Sequence, residues 1–127
     1  MKLNLETIII FVRDVHEVKL FYADILGLEV IEELKPDWVL LKAGNCNIGL
    51  HKMGQQYLGQ SIGAFGVASN TKIVFETNED IYTVRERLLR KKVTVKEIKT
   101  FDGYDYLLCD GEDPEGNVFQ LKQTKQQ

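Results

Sequence analysis

The sequence predicts an α+β fold assembled from two βαβββ modules. Three observations carry this: β-branched runs alternate with polar residues, two stretches place apolar residues at helical spacing, and the order of elements in the first half returns in the second.

The first module opens with "LETIIIFVRD", a β-branched run suited to a buried strand, and Asp14 is placed to cap the helix after it. Across "DVHEVKLFYADILG" the residues Val15, Val18, Phe21, Tyr22, Ile25 and Leu26 recur at helical spacing, and Gly27 supplies the stop. Three short strands come next, "LEVIEELK", "DWVLLKA" and "CNIGLHK", the last two joined by an Ala-Gly-Asn turn. Residues 53–69, "MGQQYLGQSIGAFGVAS", have four glycines and no period and read as a linker. The order then restarts: "TKIVFET" as a strand, "NEDIYTVRERLLRKK" as a helix with Ile81, Val84 and Leu88 on one face, then "VTVKEIKT", "YDYLLCD" and "NVFQLK" as strands. Module 1 therefore spans about 1–52 and module 2 about 70–122, within a single domain.

Composition limits the function classes. With 127 residues, 44% hydrophobic and 28% charged, the chain is long enough to bury a real core. A net charge of -3 argues against nucleic acid or an anionic membrane surface as partner, since both need a clustered positive field. The densest basic run, "RERLLRKK", alternates with Leu and Glu and reads as the solvated end of a helix. No apolar run reaches spanning or secretory length, and Cys46 and Cys109 lack CxxC spacing. A cytoplasmic protein with two isolated thiols is expected.

The duplicated order, "FYADILGLEV" at 21–30 and "DPEGNVFQL" at 113–121 resemble the vicinal oxygen chelate superfamily, which includes glyoxalases, extradiol dioxygenases and bleomycin-binding proteins. The resemblance spans essentially the whole chain. It implies that the two modules form a curved, cup-shaped mixed sheet with helices outside, and that the protein is a homodimer. It also implies where a metal would sit, because metal-dependent members take one ligand from the first and last strand of each module. Those positions here are Thr7, Gly49, Lys72 and Gln120. None is a carboxylate, imidazole or thiolate donor. A protonated Lys72 within about 5 Å of a dication is repelled by several kcal/mol at an intermediate dielectric. The chain is therefore expected to hold no metal and no cofactor.

Alternation points to the same positions independently. In "CNIGLHK", Ile48 and Leu50 form the apolar face, which leaves Asn47, Gly49 and His51 on the other. In "TKIVFET", Lys72, Val74 and Glu76 oppose Ile73 and Phe75; in "NVFQLK", Val118 and Gln120 oppose Phe119 and Leu121. Both faces of the first strand are apolar, so Thr7 rests on the resemblance. The candidate ligand-binding residues are Thr7, Asn47, His51, Lys72, Glu76 and Gln120, with Trp38, Tyr104 and Tyr106 as aromatic additions. Each has an ordinary alternative. Lys72 either meets an anionic group of a ligand or pairs with Glu76, His51 is either a base or a solvated rim residue, and the aromatics either stack a ligand or pack a core or interface. The loop at 53–69, with Tyr57, Leu58, Ile62 and Phe65, is long enough to act as a lid or as an arm onto a partner subunit.

Two functions fit this pattern. The first is a metal-independent protein that binds a small organic molecule in the cup. The alternative is a glyoxalase-type lyase or dioxygenase with displaced ligands, drawing on His51 with Glu76 or Glu6. No catalytic residue is assigned.

Overall fold

Each half of the chain brings its first strand back against its last, and the helix between the first two strands covers one face of the sheet that results. The computed structural model describes residues 1–55 and 71–125. The chain divides into two compact units, Met1–Gln60 and Ser61–Gln127. The predicted lid or arm lies almost wholly outside the described residues.

In the first unit, strand β1 (Thr7–Val12) leads into helix α1 (Val15–Leu20). The Asp14 carboxylate accepts from the Glu17 amide at 3.1 Å and so caps the helix as expected. The helix does not run evenly to Gly27. It widens into a π-helical turn at Phe21–Ile25, closed by the Leu26 amide on the Phe21 carbonyl at 3.0 Å. A π turn adds a residue and rotates the chain downstream of it. Val15, Val18, Phe21 and Tyr22 are accordingly buried, while Ile25 and Leu26 are left half-buried. Strands β2 (Glu29–Leu34), β3 (Trp38–Ala43) and β4 (Cys46–Lys52) complete a sheet of order β1-β4-β3-β2. β1 runs parallel to β4, and the other pairs are antiparallel. Val12, Val39, Leu41, Ile48 and Leu50 project toward the helical side and form the core with Val15, Val18, Phe21 and Tyr22.

The second unit repeats the order. Strand β5 (Ile73–Glu76) leads to helix α2 (Ile81–Arg90), which Asp80 caps by accepting from the Thr83 amide at 3.1 Å. Ile81 and Leu88 are buried and Val84 is half-buried, on the face the spacing predicts. Strands β6 (Tyr106–Glu112) and β7 (Val118–Thr124) give a sheet of order β5-β7-β6, with β5 parallel to β7.

Residues 93–100, expected as a strand, do not form a regular one. They meet β6 at isolated bridges, Val95 with Gly111 and Lys99 with Leu108. Four residues advance here against three on β6, so one bulges out of register. Arg85 of α2 draws the segment aside, because its Nε donates to the Lys96 carbonyl at 2.8 Å.

The turn before β7 is built around one carboxylate. Asp113 Oδ1 accepts from the backbone amides of Glu115 at 2.9 Å and Asn117 at 3.0 Å. Gly116 reverses the chain at φ 82°. A side chain in that region costs about 1–2 kcal/mol, more when β-branched. Gly116→Val should therefore lower unfolding stability by at least that amount, and an unchanged urea midpoint would remove the glycine's role in the turn.

Candidate functional site

In the first unit, strand register decides which side chains share the face turned away from α1. The parallel ladder sets Thr7 beside Asn47, Ile9 beside Gly49 and Phe11 beside His51. The antiparallel ladder sets Lys42, Leu40 and Trp38 beside the same three positions of β4. Paired residues project to one side, so Thr7, Asn47, Gly49, His51 and Trp38 stand together. This settles the face of Thr7, on which alternation alone is silent.

The Gly49 position is covered by an indole. A Cβ there would lie 2.4 Å from Trp38 Cη2 and 2.8 Å from Cζ3. The indole Nε1 donates to Glu32 Oε2 at 3.1 Å. His51 lies between two rings, its centroid 5.3 Å from Phe11 and 6.0 Å from Trp38. Its Nδ1 is 2.7 Å from the Lys52 carbonyl, which only accepts, so Nδ1 carries the hydrogen and Nε2 is left as an acceptor in the neutral ring. The Asn47 amide donates to Glu6 Oε1 at 3.3 Å. Glu6 precedes Thr7, whereas His51 pairs with Phe11, five residues from Glu6 and roughly 16 Å at ~3.3 Å per residue. Glu6 and His51 do not converge on one ion.

In the second unit the corresponding face carries a charged network. Val74 and Asp110 flank Gln120, and Glu76 and Leu108 flank Lys122. Lys72 Nζ lies 2.9 Å from Asp110 Oδ2, and Gln120 Nε2 donates to Asp110 Oδ1 at 2.9 Å. The Lys72 side chain keeps 43% of its exposure and that of Asp110 only 11%. Burial alone raises the carboxyl's pKa. The hydrogen bonds from Lys72 and Gln120 outweigh it and hold Asp110 below its ordinary value. The alternative pairing of Lys72 with Glu76 is not what forms. Four residues of extended chain, roughly 13 Å, separate them, whereas Asp110 lies across the sheet within reach.

Tyr104 and Tyr106 approach edge to face at 5.2 Å, and Phe101 meets Tyr104 at 6.0 Å. Lys122 Nζ sits 4.0 Å from the Tyr106 ring centre, so one ring face is engaged by a cation. Burial raises the Cys109 thiol above its ordinary value, which keeps it protonated at neutral pH.

The donors do not suit a divalent cation. Gly49 lies beneath the indole, and Lys72 contributes a cation already seated on Asp110, whose other oxygen is taken by Gln120. Among the described residues, no three His, Cys, Asp or Glu side chains converge closely enough to hold a metal ion. Among the same residues, no helix is long and apolar enough to cross a membrane.

Asp110, Phe11 and Glu32 are not among the residues that sequence pattern singles out. For Asp110 a signal exists: an acidic residue ends the otherwise apolar run "YLLCD", and a buried carboxylate is rare unless paired.

The lowered pKa has a sign that can be checked. The ion pair contributes stability that is fully present above the unfolded value near ~3.9 and is lost as pH falls through the lower folded value. Asp110→Asn should cost about 1–3 kcal/mol at neutral pH, and the variant and parent curves should converge below about pH 4. Parallel pH dependences in urea denaturation would contradict this. Gly49→Ala should displace the Trp38 ring and shift the emission of this sole tryptophan, with unchanged emission showing that the indole does not rest on the glycine.

The fold has relatives among solved structures. TnmS3, described as an antibiotic binding protein from Streptomyces sp. CB03234, is 19% identical with a TM-score of 0.74, covering 98% of this chain and 98% of its own. Lactoylglutathione lyase from Agrobacterium tumefaciens is 16% identical at TM-score 0.72, covering 94% and 92%. An integron cassette protein from the mobile metagenome of Halifax Harbour Sewage Outfall is 17% identical at TM-score 0.74, covering 94% and 97%. At such identities the likeness shows the fold. Among curated proteins none matches the chain significantly. The family model of the Glyoxalase/Bleomycin resistance protein/Dioxygenase superfamily matches residues 4–121, and with strand order, helix placement and closing turn all in accord, the chain belongs to that superfamily.

Proposed function

We propose that the protein binds a small organic molecule without a metal and acts as a binding protein rather than a metal-dependent lyase or dioxygenase. The observation that carries this reading is the Lys72–Asp110–Gln120 network. A fixed ammonium stands where metal-dependent members of the superfamily take a ligand, and the nearest carboxylate is already satisfied on both oxygens. Fold likeness does not choose between the two classes, since a lyase and an antibiotic binding protein are about equally similar. The donor chemistry favours binding.

The ligand contacts assigned are Thr7, Trp38, Asn47 and His51 in the first unit, and Lys72, Glu76, Tyr104, Tyr106 and Gln120 in the second. Support in the first unit comes from a face that is apolar yet open: Ile9 is 46% exposed and Phe11 59%, beside the Trp38 ring. Apolar area of this kind with a few directed polar groups suits an organic ligand. The reading also takes the protein to be one domain, a homodimer and cytoplasmic.

Elemental analysis of the purified protein, with thermal-shift titration against zinc, nickel, manganese and ferrous iron, tests the central claim. No stoichiometric metal and no rise in Tm are expected, and one tightly held metal per chain would overturn the reading in favour of an enzyme. Lys72→Ala is expected to weaken ligand binding while shifting stability by about 1 kcal/mol or less, because the lysine is partly solvated and Gln120 still donates to Asp110. A large loss of stability with unaltered binding would reduce Lys72 to a structural role. Sedimentation at micromolar concentration should show a dimer.

A further inference from the structure

Beside the Lys72–Asp110 pair the second unit contains a cavity of about 220 Å³. Its walls are Lys72, Thr94, Lys96, Asp110, Glu112 and Val118. Asp110 and Glu112 alternate on one face of β6 and Val118 pairs with Glu112. The 93–100 segment adds Thr94 and Lys96 at matching heights, through the Glu112 amide on the Thr94 carbonyl at 3.0 Å and the Lys96 amide on the Asp110 carbonyl at 2.8 Å.

The charges around this space balance: two ammonium groups and two carboxylates. They differ in what remains free. Both Asp110 oxygens are engaged, by Lys72 and by Gln120. Among the described residues Lys72 gives one contact of its three donors, and its side chain is 43% exposed. Among the described residues, the side chains of Lys96 and Glu112 form no ion pair. The cavity is thus bordered by cationic donors at Lys72 and Lys96, an acceptor at Glu112, a hydroxyl at Thr94 and an apolar patch at Val118. A simple anion would leave Glu112 unmatched, and a simple cation would leave the lysines unmatched. A molecule carrying both signs satisfies all of them. The size agrees. The space equals about seven waters at roughly 30 Å³ each, below the ~300 Å³ at which drug-sized pockets begin.

We propose that this pocket binds a small zwitterion of the α-amino-acid type, its carboxylate on Lys72 and Lys96 and its ammonium on Glu112. The proposal rests on reading this face as a metal-free binding surface. It adds the ligand's chemical class.

Titration of the protein with L-alanine and L-serine, followed by amide chemical shifts, tests it. Lactate and ethylamine serve as probes that each lack one charge. Saturable millimolar shifts of the Thr94, Lys96 and Glu112 amides are expected with the amino acids and not with the single-charge probes. Lys96→Met and Glu112→Gln should each weaken binding about tenfold or more with Tm unchanged, since both side chains lie outside the core. Absence of saturable shifts with both amino acids overturns the proposal, as does lactate binding as well as alanine. Failure of this kind in a protein free of metal leaves the broader reading intact, whereas a bound metal removes both.

Discussion

A parallel ladder between the first and last strand of each unit is the constraint from which the site arises. Parallel strands need a crossover, and the helix supplying it must cover one face of the sheet. Each unit is thereby left with a buried face under its helix and a second face free for other side chains. Pairing at equal height then determines neighbours: Thr7 with Asn47, Phe11 with His51, and Val74 with Gln120. Residues far apart in sequence become adjacent because the ladder is parallel, and the antiparallel partners extend the same rows to Trp38 and Asp110.

Within the second unit, Asp110 concentrates the electrostatic cost. A buried carboxylate is tolerated only when paired and hydrogen-bonded. Here the two donors both come from across the sheet, Gln120 on the adjacent strand and Lys72 just before β5, one strand farther, so the carboxylate ties three segments together. Lys72 remains partly solvated, which moderates the pair's contribution to stability while keeping ammonium hydrogens available. The two units thus present different chemistry, an aromatic and apolar surface around Trp38 and a polar, charge-balanced one around Asp110.

Much of this was legible in the sequence, for local reasons. Period-two alternation assigns Asn47 and His51, Lys72 and Glu76, and Gln120 to the faces they occupy, and Asp14 marks the first helix start. What alternation misses depends on register or on distant partners. The π-helical turn at Phe21–Ile25 leaves the apolar spacing intact while changing which residues are buried. The irregular 93–100 segment reads as a strand because it is rich in β-branched residues, yet Arg85, on another element, claims the Lys96 carbonyl. Asp110 is visible as an oddity in an apolar run, but its partners Lys72 and Gln120 emerge only once β6, β7 and β5 are set side by side.

The contact between Trp38 and Gly49 bears on how this chain relates to metal-dependent members of its superfamily. Replacing Gly49 by an acidic residue would place a side chain where the indole already lies, with backbone-anchored atoms 2.4 Å from the ring. The two positions are energetically coupled, and their substitutions will not add as independent changes do. An evolutionary or engineered path toward a carboxylate at position 49 passes through a strained intermediate unless Trp38 changes first. Epistasis between one glycine and one tryptophan therefore separates this chain from single-step acquisition of an acidic ligand at that strand.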